Sequence, residues 1–216
     1  MPPITIVYAT SSSHKREEIE IFHSVGYLDD GTIVRDSFTF DIRPIQIQEV
    51  LEVDLGVMVR AEVVKAYSQL RVPCIVEHAG LIFDDYHDKS YPGGLTKPMW
   101  NTLGDRFVQE TGSSGRCVIA RAVIAYCDGK RVFTFDGETH GTIADSPRGS
   151  RDFYWDTVFI PDNANGEPGS MTYAEIVESS PLGLPHKVNN LSQSSKAMRK
   201  FLVYRKTNEP GLWSMV

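Results

Sequence analysis

The run ITIVY, residues 4 to 8, is almost continuously apolar. A strand of that kind is covered on both faces, because a half-exposed strand alternates apolar with polar side chains. ATSSSHK follows it, and REEIEIFHSVG then carries Ile19, Phe22 and Val25 at helical spacing before Gly26. Strand, Ser/Thr-rich turn and helix in that order call for helices packed on a sheet. The same order sets hydroxyls, free backbone N–H groups and Lys15 at a helix N-terminus, where the helix dipole favours an anion.

Further along, TIVRDSFTFDI and RPIQIQEV alternate apolar with polar residues and predict a half-exposed hairpin. VLEVDLGVMVRAEVVKAYSQL has a period near 3.6 and predicts a helix over 50–70, stopped by RVP. A buried strand is expected at 74–77, followed by a Gly/Pro-rich loop, YPGGLTKPMWN, and a helix around NTLGDRFVQET. RCVIARAVIAYC, a DGK turn and RVFTFDGETHGTI predict a long hairpin. SPRGSRDFYWDTVFIPD reads as a loop entering a short strand, TYAEI as a short helix and PLGLPHK as a kinked connector. SQSSKAMRKFLVYRK reads as a terminal helix capped by Ser192 or Ser194. These elements imply an α/β or α+β fold whose sheet is covered on both faces.

A chain of 216 residues, 41% hydrophobic, suits one compact domain or two small lobes. Its net charge of -6, with no Lys/Arg block longer than HKR at 14 to 16, argues against a nucleic-acid surface, since phosphate backbones are held by clustered cations. No run approaches the roughly 20 apolar residues of a membrane span, and MPPITIVYAT reads as a first strand and not a signal peptide. Cys74, Cys117 and Cys127 lie in or beside strand-like runs without CxxC spacing, which predicts reduced, buried thiols in a cytoplasmic protein.

Two stretches have a choice of readings from the residues alone. Glu77 and His78 follow the run CIV and are either a metal and water site or the polar end of a core strand. FYWD, residues 153 to 156, is either core with a cap or an aromatic platform beside an acid.

The order of these signals resembles the inosine triphosphate pyrophosphatase family, the Ham1-like enzymes that remove non-canonical purine nucleotides. In that family a T-G-N-x-x-K loop follows the first strand, an (E/D)-D pair precedes a G-L turn, and P-R-G, F-G-W-D, T-(Y/F)-A-E and S-H-R follow. Here the series is ATSSSHK, EHAGL, PRG, FYWD, TYAE and PHK, within residues 4 to about 201. The resemblance implies a long twisted mixed sheet with helices on both faces, and two lobes flanking a nucleotide cleft within a single domain, 1–216. It also implies a homodimer that hydrolyses dITP, ITP or XTP to the monophosphate and pyrophosphate, with Mg²⁺ as cofactor or Mn²⁺ in its place.

Carried onto this chain, the family's roles assign phosphate binding to Thr10, Ser11, Ser12 and Lys15, with Lys65 the nearest match to a helical lysine. Glu77 would hold the metal, and His78 and Lys15 would serve catalysis with it. Phe153 and Trp155 would stack on the purine, Asp156 would accept a ring N–H, and His186 with Lys187 would donate to the 6-keto oxygen. Trp100 is expected to pack the cleft wall, Arg148 to order its loop, and His14, His23, His87 and His140 to lie on the surface.

Departures from the pattern are Ser12 for Asn, Gln46 for an acid, Tyr154 for Gly, Pro181 for Lys, and Pro185 and Lys187 for the Ser and Arg of S-H-R. His78 replaces the second acid of the pair and has three readings: a general base for water, a ligand with Glu77 for a softer ion such as Mn²⁺ or Zn²⁺, or the mark of changed chemistry. Changed chemistry covers hydrolysis of a nucleoside monophosphate and non-catalytic nucleotide binding.

Overall fold

The computed structural model describes residues 2–151 and 154–210. β1 (Ile4–Ala9) leads through the serine turn into α1 (Ser13–Val25), and a short α2 (Val34–Ser37) precedes β2 (Phe38–Arg43). An irregular segment then reaches α3 (Leu55–Leu70) and β3 (Cys74–Phe83). α4 (Thr96–Leu103) and α5 (Phe107–Thr111) come next, before the hairpin of β4 (Cys117–Cys127) and β5 (Val132–Ile143). The chain closes with β6 (Phe159–Pro161), α6 (Tyr173–Glu178), α7 (Gly183–His186), a π-helical turn at Lys187–Leu191, and α8 (Gln193–Thr207). No helix among the described residues is long and apolar enough to cross a membrane.

The six strands form one mixed sheet in the order β2-β1-β3-β4-β5-β6. β1 is parallel to both β2 and β3, and every later pairing is antiparallel. Both faces are covered, and β3 displays this residue by residue. Ile75 joins Ile6, Phe22, Ile124 and Phe201 in the core under α1 and α8, while the next residue, Val76, packs with Val59, Val63 and Val123 under α3. Successive strand side chains point to opposite faces, so each half of this alternation meets its own helix layer. Each fully buried side chain of this size contributes roughly 1.5–3 kcal/mol relative to exposure. A third cluster, with Phe83, Trp100, Phe107, Phe159 and Tyr173, sits under α4 to α6 at the far end of the long strands.

Two glycines let helical segments approach the sheet closely. A Cβ at Gly80 on β3 would lie 2.1 Å from the carbonyl oxygen of Gly93, so glycine lets the turn before α4 rest on the strand. At Gly137 on β5 a Cβ would lie 2.1 Å from the carbonyl oxygen of Gln193, which brings the first turn of α8 down onto the sheet.

Three expectations need correction. The hairpin over 32–50 does not form: β2 is an edge strand parallel to β1, and residues 44–54 carry no strand. Pro44 directly after β2 lacks the N–H a further ladder bond needs. The third helix begins at Leu55, where Asp54 caps it by accepting from the N–H groups of Gly56 and Val57. Cys117 is exposed at the start of β4, whereas Cys74 and Cys127 are buried, opposite each other in register.

Candidate functional site

β1 and β3 pair only where Val7 and Tyr8 meet Cys74 and Ile75. Past that point β1 ends at Ala9, and β3 continues to Phe83 with β4 as its ladder partner. The space beside β3 is a cavity of about 400 Å³, at the carboxyl end of a parallel strand, where open α/β sheets bind ligands. Thr10, Ser11, Ser12 and Lys15 line it from the turn after β1, Glu77 and His78 from β3, and Trp155 and Lys187 from the C-terminal half. Residues far apart in sequence therefore share one cleft.

The turn is built by local hydrogen bonds. Ser12 caps α1 by accepting from the Lys15 N–H, and Thr10 Oγ1 accepts from the Ser12 N–H at 3.2 Å. One turn into the helix, the Lys15 ammonium reaches across to β3, 3.1 Å from Glu77 Oε2, and also donates to the Glu77 carbonyl oxygen. Glu77 points to the α1 and α8 side of the sheet, accepting from Tyr8 Oη at Oε2 and from Ser194 Oγ at Oε1, each at 2.9 Å. Burial would raise its carboxyl, but the Lys15 charge and the hydrogen bonds from Lys15, Ser194 and Tyr8 bring it below the usual carboxylate value.

His78, the next residue on β3, faces the other side. Its Nε2 lies 2.5 Å from Oε2 of Glu62 on α3, and the Glu62 side chain is 4% exposed. Glu62 Oε1 is buried without a hydrogen-bond partner among the described residues. Sequence reasoning passed over Glu62, yet the signal was there: it occupies the apolar stripe Met58, Val59, Glu62, Val63, Ala66, all buried. A buried acid on such a stripe requires a partner, and the strand alternation that aims Val76 at α3 aims His78 there too.

In FYWD, the segment that the resemblance assigns to the base, Phe153 lies outside the described residues. Trp155 lines the cleft but is 3% exposed, with its ring packed on Phe159 and Tyr173. Tyr154 also lines it, with the Lys97 ammonium 5.8 Å from its ring centre, and adopts φ = +30°. That is the left-handed region where glycine is at ease, at the position where the resembled motif has glycine.

Lys187 is buried between two carboxylates, 2.5 Å from Asp156 and 2.8 Å from Glu18. Burial acts to lower its pKa, and the charges of Asp156 and Glu18 overcome that and hold it above the ordinary lysine value. Burial in turn pushes the Asp156 carboxyl up to about 7 against the pull of Lys187. Asp156 Oδ1 has no partner among the described residues.

Three proposed site residues stand off the cleft lining: Asp156 is buried behind Trp155, the Lys65 ammonium donates to the Gln48 carbonyl oxygen at 3.1 Å, and His186 bonds to Asn190. Gln46 is exposed, and the acid lining the cleft from that segment is Glu49, paired with Lys97 at 3.1 Å. Placed with the surface histidines in the sequence reading, His14 instead lines the cleft. Trp100 packs against Phe107, and Arg148 holds its loop through Glu175 and the Ser170 carbonyl oxygen.

The donor set does not make a protein-built metal seat. Both lone-pair positions of Glu77 Oε2 are taken by Tyr8 and Lys15, and Oε1 accepts from Ser194. Glu77 and His78 engage partners on opposite faces of the sheet, so the pair does not converge on one ion. Among the described residues, no group of three or more His, Cys, Asp and Glu is arranged to hold a metal.

A family model described as the Ham1 family matches residues 6–204. The inosine triphosphate pyrophosphatase of Kluyveromyces lactis is 29% identical over 209 residues, covering 94% of this chain and 97% of that protein. A dITP/XTP pyrophosphatase of Methanopyrus kandleri is 32% identical over 147 residues, 67% of this chain and 71% of that protein. Among solved structures, a HAM1 protein from Coxiella burnetii superposes with a TM-score of 0.59 at 19% identity, covering 93% and 99% of the two chains, a likeness of fold. With a match that runs over nearly its whole length, this chain belongs to the Ham1 family.

Proposed function

We propose that this protein hydrolyses a nucleoside triphosphate carrying a non-canonical purine, of the inosine or xanthosine type, to the monophosphate and pyrophosphate. The observation that carries this reading is the single cleft that joins the serine turn and Lys15 to Glu77, His78, Trp155 and Lys187. Relatives named inosine triphosphate pyrophosphatase and dITP/XTP pyrophosphatase support the substrate class.

In this reading the hydroxyls of Thr10, Ser11 and Ser12, with the N–H groups opening α1, cradle phosphate. Lys15, anchored on Glu77, brings a fixed cation to the same end and stabilises charge on the phosphoryl oxygens. His78 takes the proton of the attacking water. Tyr154 offers the base an accessible ring beside the buried Trp155, and Asp156, buried behind that lining, holds Lys187 in place. Mg²⁺, or Mn²⁺ in its place, would be held chiefly by the nucleotide's own phosphates and would supply neutralisation of their charge. The two-lobed single domain and the homodimer rest on the resemblance and the cytoplasmic setting on the cysteine pattern, and sedimentation and cell fractionation test the last two.

A second reading, hydrolysis of a nucleoside monophosphate, is favoured by the charge balance. Four carboxylates, Glu18, Glu49, Glu62 and Glu77, line the cleft against three lysines, Lys15, Lys97 and Lys187, each already paired with an acid. Incubation of pure protein and Mg²⁺ with dITP, XTP, GTP and IMP separates the two. Pyrophosphate from dITP or XTP supports the first reading; turnover of IMP alone would replace it with the second.

A further inference from the structure

A histidine that abstracts a proton needs one ring nitrogen free for the task and the other held, so that a single tautomer faces the substrate. His78 meets that requirement through a residue on a different element. Its Nε2 is 2.5 Å from Glu62 Oε2, and no hydrogen bond engages Nδ1 among the described residues. The side chains of His78 and Glu62 are 16% and 4% exposed, so the contact is shielded from water, yet both residues line the cleft.

We propose that Glu62 is a positioning residue for His78. It accepts Nε2–H, fixes the ring, and leaves the Nδ1 lone pair to receive a proton in the cleft. This rests on the hydrolytic reading of the site. The step balances without any redox partner. The water oxygen forms a bond to the α-phosphorus while its proton passes to Nδ1. The bond from that phosphorus to the oxygen bridging to the β-phosphorus breaks, and its electron pair leaves with pyrophosphate. The imidazolium so formed keeps Nε2–H on the Glu62 carboxylate, which stabilises the new positive charge as the acid of a catalytic triad does.

The proposal predicts that Glu62→Gln, which keeps the shape but loses the charge and lets an amide N–H compete for Nε2, lowers kcat by about 10²- to 10⁴-fold. KM should stay within about threefold, since Glu62 acts through His78 and not on ground-state binding. Glu62→Asp, which keeps a carboxylate, should recover at least about tenfold of the loss. Imidazole ¹⁵N NMR of the wild-type protein reads the arrangement without turnover and should find His78 protonated at Nε2 and bare at Nδ1. A wild-type ring protonated at Nδ1, or Glu62→Gln turning over within threefold of wild type, overturns the proposal. If Glu62→Gln does not fold, the NMR result and Glu62→Asp decide. Absence of turnover by wild type on every nucleotide overturns the hydrolytic reading itself, and the role of His78 with it.

Discussion

The carboxylate of Glu62 on α3 and the imidazole of His78 on β3 stand 2.5 Å apart, on the face of the sheet opposite the one where Glu77 meets Lys15, Tyr8 and Ser194. Two neighbouring residues of one strand are thereby committed to different partners by the pleat alone. In the proposed reading Glu77 anchors the Lys15 cation at the phosphate end, and His78 handles a proton.

Replacing His78 should separate chemistry from stability. His78→Leu removes the base and leaves Glu62 buried with neither oxygen paired, so kcat should fall by about 10²-fold or more. Stability in urea should drop by about 1–3 kcal/mol, the cost of an unsatisfied buried polar group. The double variant Glu62→Leu, His78→Leu should regain most of the stability and none of the activity. Recovery of neither, or of both, would contradict the pairing.

Tyr154 should behave as a ring held in place against its backbone preference. Tyr154→Gly relieves roughly 1–2 kcal/mol of left-handed strain, which the greater freedom of glycine in the unfolded chain offsets in part. The melting temperature should therefore change little while KM for the nucleotide rises by about tenfold as a stacking face is lost. A large fall in melting temperature with unchanged KM would make Tyr154 a packing residue only.

Lys187 should matter for folding. Lys187→Met leaves Asp156 and Glu18 without their shared cation in a buried setting, and truncating one partner of such a pair costs about 3–5 kcal/mol. Urea denaturation followed by tryptophan fluorescence checks this, and a loss below about 1 kcal/mol would show that the ion pair is not held in solution.

The Glu77 carboxyl gives the protein an acid-side sensitivity. Its folded pKa lies below its unfolded one, so its contribution is complete above the unfolded value of about 4.3 and is lost as pH falls through the folded value. Between pH 6 and 3 the melting temperature of wild type should fall more steeply than that of Glu77→Gln. Parallel curves would mean that Glu77 is not held as an ion.

Much of this architecture was legible in the sequence because it is local. The ITIVY strand, its serine turn, the DGK hairpin and the short TYAEI helix each follow from a few adjacent residues. The hairpin expected over 32–50 failed because alternation in a sequence does not distinguish an antiparallel return from a parallel edge strand, and Pro44 stops the ladder after β2. At the site, the motifs point to Thr10 to Lys15 and to Glu77 with His78, and these residues line one cleft. Lys65 is the nearest match in sequence to a helical lysine, but its ammonium turns to the Gln48 carbonyl oxygen, and the residue of α3 that meets His78 is Glu62. Glu49, Lys97 and Ser194 reach the cleft only through the packing of distant elements, so no local pattern marked them.

The most direct test of the account is a single-turnover reaction with dITP and Mg²⁺ in ¹⁸O-labelled water, with both products analysed by mass spectrometry. Attack by a His78-activated water on the α-phosphorus predicts one labelled oxygen in the nucleoside monophosphate and none in pyrophosphate. Label in the pyrophosphate, release of orthophosphate as the first product, or no reaction at all would contradict it.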